Sequence, residues 1–307
     1  MSGDADGAVP GERPRRPGRW RKIVRLAPVR LVIGLAILVA GTILAQVGLV
    51  GLRALGLDGD LRSAIETVVA VATSVLLYLA FVRWIEGRRP TELYRAPAVR
   101  ETGVGLVLGV VLFSTSIGVI ALLGGYRVSG VDPGWNLAPA AALAISSGVS
   151  EEILIRGVVF RLLDEWLGSW AALAISAVLF GALHLANPHA TWASSIAIAL
   201  EAGILLAAAY LVTRRLWLPI GMHIAWNFTQ AGIFGVAVSG HESHGILRGA
   251  PAGPDWLSGG EFGAEASVVS VLVCLAAALI LLGLALRAGR IVAPSWRRAP
   301  PVGGVEG

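Results

Sequence analysis

Apolar residues in this chain neither alternate strictly nor keep to one helical stripe. They come in runs of about twenty, each long enough to cross a hydrocarbon core about 30 Å thick as a helix. Eight such runs are predicted as helices: Leu31 to Leu52, Ile65 to Val82, Val104 to Leu123, Leu137 to Leu163, Leu167 to Ala186, Thr191 to Val212, Leu216 to Val238 and Ala266 to Leu286. The run from Leu31 is too long for a signal-peptide core and has no convincing small-residue cleavage site, so it reads as a retained first helix. The fold class expected is all-α, a polytopic transmembrane bundle of about eight helices with its motif-bearing core in helices 4 to 7.

The expected division is a disordered basic cytoplasmic tail over 1–30, three flanking helices over 31–136 and a core over 137–238. An outer loop over 239–265 and a last helix with a cytoplasmic tail over 266–307 follow. The tail is rich in Gly, Pro and Arg and has no apolar periodicity. No internal repeat is evident, which weighs against transporter folds built on duplicated halves.

Composition agrees with a membrane protein: of 307 residues, 55% are hydrophobic and 15% charged. The net charge of +5 does not imply a nucleic-acid partner, because the basic residues are spread between apolar runs rather than gathered on a folded basic domain. They read as topology instead. With the N-terminus inside, the inner segments hold twenty Lys and Arg: eight in the tail, five between helices 2 and 3, Arg161, the pair Arg214 and Arg215, and four after helix 8. The outer loops hold four, Arg53, Arg62, Arg127 and Arg248. That bias predicts both termini in the cytoplasm, and the dominance of Arg, Ala, Gly and Val hints at GC-rich coding and a bacterial plasma membrane. The single Cys274 lies in the last run, so no intrachain disulfide or thiol-based metal site is expected, and it reads as apolar filler.

Charged groups at membrane depth cost roughly 2.5–3.5 kcal/mol each on insertion scales and normally face a bundle interior or a wet cavity. Helix 4 carries Glu151, Glu152 and Arg156; helix 5 ends in Phe180-Gly181-Ala182-Leu183-His184; helix 7 carries His223 and Asn227. Glu152 and Arg156 are four apart and share a face, so they are expected to neutralise each other. Glu151 projects about 100° away and is left to address another helix. His223 and Asn227, again four apart, present two donors from one face. If His184 converges with them, the set has the parts of amide hydrolysis: a carboxylate to activate water, a histidine to orient it, and donors for an oxyanion. With straight helices, however, His184 falls about 10 Å nearer the outer side than Glu151 and His223; tilt, or a helix 5 that begins deeper, removes the offset.

Other polar residues are expected to be bystanders. His241 and His244 read as a Gly-rich surface loop, His189 as a solvated turn, and Asp164 and Glu165 as the wet end of helix 4. Glu201, in mid-run of helix 6, needs a partner or water, lines the cavity or is protonated.

The three segments together resemble the family of type II CAAX proteases and bacteriocin-processing enzymes, also called the Abi or CPBP family of intramembrane proteases. Its signature is Glu-Glu-x-x-x-Arg, then Phe-x-x-x-His, then His-x-x-x-Asn or a similar residue, on successive helices; all three stand here in order, with Gly157 after Arg156. The resemblance spans Leu137 to Val238. It implies Glu151 as the general base with His184 as its partner, Glu152 and Arg156 as support of the site, and His223 and Asn227 as ligands of the substrate carbonyl or oxyanion. It implies membrane lipid and a peptide or membrane-protein substrate as partners. The family has been described both as glutamate-dependent, needing no cofactor, and as metalloproteases; zinc is possible here, although no His-Glu-x-x-His helix supports it. Eukaryotic members process prenylated tails, so a bacterial chain implies another target, reached here through a cavity open to the cytoplasmic half. Two other readings are an inert interaction or bacteriocin self-immunity protein, and an ion-coupled transporter using Glu151 and Glu201.

Overall fold

The computed structural model of the chain describes residues 23–298 apart from 25, 54–55 and 57–58. The expected disordered tail lies, over its first twenty-two residues, outside the described residues. Among the described residues, eight long helices form the bundle. They are α1 Ala27–Arg53, α2 Gly59–Ala80 extended by Phe81–Ile85, α3 Ala98–Leu122, and α4, which starts at Ala138–Glu152 and continues through Ile153–Phe160 to Arg161–Leu167. Next come α5 Ser169–Leu183, ending in the turn His184–Ala186, and α6, built from Trp192–Ile198, Ala199–Gly203 and Ile204–Thr213. Helix α7 is Trp217–Phe228 continued by Thr229–Ile233, and α8 is Val268–Arg287.

By length and apolarity six of these can cross a membrane, α1, α2, α3, α5, α6 and α8. Helices α4 and α7, which carry Glu151, Glu152, Arg156, His223 and Asn227, are not among the six. The chain is an integral membrane protein, and its outward faces display large apolar side chains such as Leu44, Val68, Leu76 and Leu279, as lipid-facing surfaces should. One feature not expected from the sequence is a small antiparallel pair, β1 Tyr126–Val131 with β2 Leu247–Pro251, where two connecting loops meet.

Packing sets the position of α7. A Cβ at Gly109 of α3 would stand 2.4 Å from the Met222 carbonyl oxygen, and one at Gly105 2.4 Å from that of Leu218. Only small residues permit such backbone approach in a membrane bundle, and this contact seats His223 and Asn227 facing inward.

The α4–α5 connection removes the depth offset expected for His184. Helix α4 does not end at Leu163; it runs to Leu167, and Gly168 alone makes the turn, at φ 82 and ψ 166. Glu151 therefore lies seventeen residues before that turn and His184 sixteen after it, which places them nearly level at about 1.5 Å per residue. Asp164 is not at a wet end. It is buried, accepts the Ser169 hydroxyl at 2.5 Å and pairs with Arg214 at 2.6 Å, tying the turn together. Glu165 is exposed at 44% of its side chain, and Arg30 pairs with it.

The two ends of the bundle differ. At the basic end Arg30, Arg88 and Arg161 surround Glu86 at 3.2, 2.9 and 3.0 Å, and Arg215 holds Glu101 at 2.9 Å. The opposite end carries the β1–β2 strand pair, the 187–191 turn and the long connection from α7 to α8.

Candidate active site

The motif residues of α4 sit where its ladder changes to π-helical pairing over Ile153–Phe160. Similar stretches interrupt α6 at Ala199–Gly203 and α7 at Thr229–Ile233, and such bulges recur at functional sites. Arg156 exploits one of them, donating through Nη2 to the carbonyls of Ala202 and Gly203 at 3.0 and 3.1 Å. Its Nη1 donates to Glu152 Oε1 at 2.7 Å, with both side chains essentially unexposed. The guanidinium also lies 4.7 Å above the centre of the Phe180 ring, a cation–π contact that is stronger where water is excluded.

Glu152 has a second role that spacing along α4 could not reveal. Its Oε1 also accepts Nδ1–H of His223 at 3.0 Å, joining α4 to α7. That bond fixes the neutral tautomer of His223, leaving the lone pair on Nε2, which lies 3.9 Å from Glu151 Oε2. Glu151 is 35% exposed at its side chain, while its Oε2 is shielded and takes no hydrogen bond among the described residues.

His184 hydrogen-bonds within its own helix: Nδ1–H donates to the Phe180 carbonyl at 2.8 Å, which leaves its Nε2 as the free ring nitrogen. The Phe180 ring lies 4.7 Å from the imidazole of His184 and 6.2 Å from that of His223. It spaces the two histidines and seals them against Arg156. Asn227 donates through Nδ2 to Ser147 Oγ at 3.0 Å, and Ser147 in turn donates to the Leu143 carbonyl at 2.8 Å. The amide is thereby fixed, with its second N–H still available.

Glu151, His184, His223 and Asn227 all line one cavity of about 240 Å³. The structure brings together the four residues singled out from sequence, with Glu152 and Arg156 buried beside them. The imidazole nearest Glu151 is that of His223, whereas His184 meets Glu151 across the cavity. Ser147 lies four residues before Glu151 on the same face of α4 and could have been found by that spacing. Asn187, Ser239 and His241 also line the cavity, from turns whose approach carries no local sequence signal. Leu143, Asn187, Val238 and His241 wall the cavity on the side of the loop end of the bundle.

A smaller void of about 30 Å³ lies behind His184, His223 and Asn227 and is lined by Glu201, Ser239 and Glu265. Glu201 is buried and accepts Cys274 Sγ–H at 3.4 Å, so Cys274 is more than apolar filler. Glu265, in the turn Ala264–Ala266 that leads into α8, accepts both the amide and the hydroxyl of Ser239, the latter at 2.7 Å. Burial pushes its carboxyl up to about 7 against those stabilising hydrogen bonds. His189 is not simply solvated but pairs with Glu261 at 2.9 Å.

Among the described residues, no group of three or more His, Cys, Asp or Glu side chains is arranged to hold a metal ion. Glu152 is spent on Arg156 and His223, and His184 Nδ1 on its own helix. Glu151 and the Nε2 atoms of His184 and His223 stay free but are not gathered into a metal-holding cluster among the described residues.

Residues 133–229 match a family model described as type II CAAX prenyl endopeptidase Rce1-like. This part of the chain is Rce1-like. The matched stretch runs from the loop before α4 into the π-helical end of α7 and contains all six motif residues. The family that this stretch resembles is described as one of endopeptidases. No curated protein and no solved structure matches the chain.

Proposed function

We propose that the chain is an intramembrane endopeptidase that hydrolyses a peptide bond in or near the membrane by carboxylate-activated water. The observation that carries this reading is the convergence of Glu151, His184, His223 and Asn227 on one cavity, with Glu151 Oε2 free of hydrogen bonds among the described residues and 3.9 Å from His223 Nε2.

Glu151 accepts a proton from a cavity water held beside it and His223 Nε2, and the resulting hydroxide attacks the carbonyl carbon. The free N–H of Asn227 donates to the developing oxyanion, joined by His223 when its Nε2 carries a proton. Glu152 and Arg156 keep the His223 ring in register. Collapse of the tetrahedral adduct breaks the C–N bond, and the departing amine takes the proton held by Glu151, with His184 Nε2 placed to relay it. Because Ser147 and Glu152 orient the donors before substrate arrives, little reorganisation is needed during the reaction.

We place both termini in the cytoplasm of a bacterial cell, on the twenty-to-four bias of Lys and Arg between inner and outer segments. The activity is tested with the protein reconstituted in liposomes, a quenched-fluorescence peptide library and heavy-oxygen water. The reading expects cleavage with one heavy oxygen in each new carboxyl group; intact peptides throughout would overturn it.

A further inference from the structure

Resting on the protease reading of the site, we propose that the substrate is an internal segment of a polypeptide presented from the extracytoplasmic side of the membrane, not a chain terminus presented from the cytoplasm. The first argument is the direction of the path. Next to the cavity beside Glu151, and sharing Leu143 and His241 with it as lining, lies a vestibule of about 520 Å³ whose rim includes Asp132, Asn136 and Glu242. All of these belong to the loop end of the bundle.

The second argument is helix length. Helix α4 has thirty residues over 138–167, about 45 Å at 1.5 Å per residue, whereas the span Ser169–Ala186 has 18, about 27 Å. Starting level at Gly168, α5 stops well short of the outer end of α4, so the 187–191 turn is recessed and the vestibule forms a funnel down to Glu151.

Toward the basic end the way is closed. Ile155, Val158, Val159, Phe160 and Leu162 are buried, and the Glu152–Arg156 pair fills the space beside Phe180. Arg30, Arg88, Arg161, Arg214 and Arg215 lie at that closed end, so the open end is the one the positive-inside rule sends outward. Charge then narrows the class of substrate. Among the described residues, the cavity and vestibule are lined by Glu151, Asp132 and Glu242 and by no Lys or Arg. At the rim Arg248 pairs with Asp132 at 3.6 Å, which leaves Glu151 and Glu242 as the charges of the path that no Lys or Arg offsets among the described residues, so a terminal carboxylate is disfavoured against a neutral or cationic internal segment.

Two measurements test the proposal. In intact cells, Glu242→Cys is labelled by a membrane-impermeant maleimide, whereas Arg89→Cys is labelled only after permeabilisation; the unsubstituted protein, whose Cys274 is buried, gives the background. The reverse pattern overturns the proposal. In sealed right-side-out vesicles, a peptide amidated at its C-terminus is cleaved with a kcat/KM at least tenfold above that of the same peptide ending in a carboxylate close to the cut. Cleavage confined to inside-out vesicles, or preference for the free carboxylate, overturns the proposal and leaves the protease reading standing. Labelling as expected with no cleavage from either side brings down the protease reading, and with it the substrate assigned here.

Discussion

His223 Nδ1–H donates at 3.0 Å to Glu152 Oε1, the same oxygen that Arg156 holds at 2.7 Å. One buried carboxylate thus neutralises a cation on its own helix and orients an imidazole on another. Removing one partner of a buried ion pair costs roughly 3–5 kcal/mol, because an uncompensated charge remains. Arg156→Met is therefore expected to lower the thermal unfolding midpoint of the protein in detergent sharply. The double variant Glu152→Gln/Arg156→Met should recover part of that loss; equal midpoints for wild type and Arg156→Met would show that the pair contributes nothing.

Gly168 adopts a backbone conformation, φ 82 and ψ 166, that side chains tolerate poorly. A Cβ there would also stand 2.8 Å from Pro294 N and 2.9 Å from Val292 O. Strain in this region costs about 1–3 kcal/mol. Gly168→Ala should lower both stability and turnover, since the turn keeps Glu151 level with His184. Unchanged values for both quantities would refute that role.

Glu265 supplies a pH dependence whose sign is fixed. Its carboxyl is pushed up to about 7 in the fold from an ordinary value of 4.5, so the folded state keeps a proton that the unfolded chain releases. Its contribution to stability is full below the unfolded value and is lost as pH rises toward 7. Glu265→Gln stays neutral, and its carbonyl can still accept from Ser239. Relative to wild type, it should gain stability progressively as pH is raised from 5 to about 7.5; a pH-independent difference in unfolding midpoint would contradict this account.

Asn227 is held by Ser147 and faces the cavity. Loss of one oxyanion donor typically costs about 10²–10³ in kcat. Asn227→Ala should fall in that range with KM little changed, while Ser147→Ala, which only loosens the amide, should lose less. A pure KM effect in Asn227→Ala would move this residue from transition-state stabilisation to substrate binding.

The number of helices and the membrane setting were legible because runs of about twenty apolar residues admit few other readings. The pairing of Glu152 with Arg156 was legible from four-residue spacing, and the grouping of three motifs followed from the cost of leaving charges in lipid. Three things were hidden. Asp164 looked like the wet end of α4 because a carboxylate near a loop usually is; its bonds to Ser169 and Arg214 extend the helix to Leu167 and set the depth of His184. The π-helical stretches were hidden too, and with them the reach of Arg156 to the Ala202 carbonyl, a contact between helices that no local pattern encodes. The mouth of the cavity depends on Asn187, Ser239 and His241 folding over it from separate turns.

The central claim is that Glu151 activates the water that cleaves the substrate. Its most direct test is the turnover of Glu151→Ala against wild type in the same liposomes, with both proteins checked for monodisperse elution and helical content. The account predicts a folded variant whose kcat falls by at least about 100-fold; a folded Glu151→Ala protein that cleaves at the wild-type rate would contradict it.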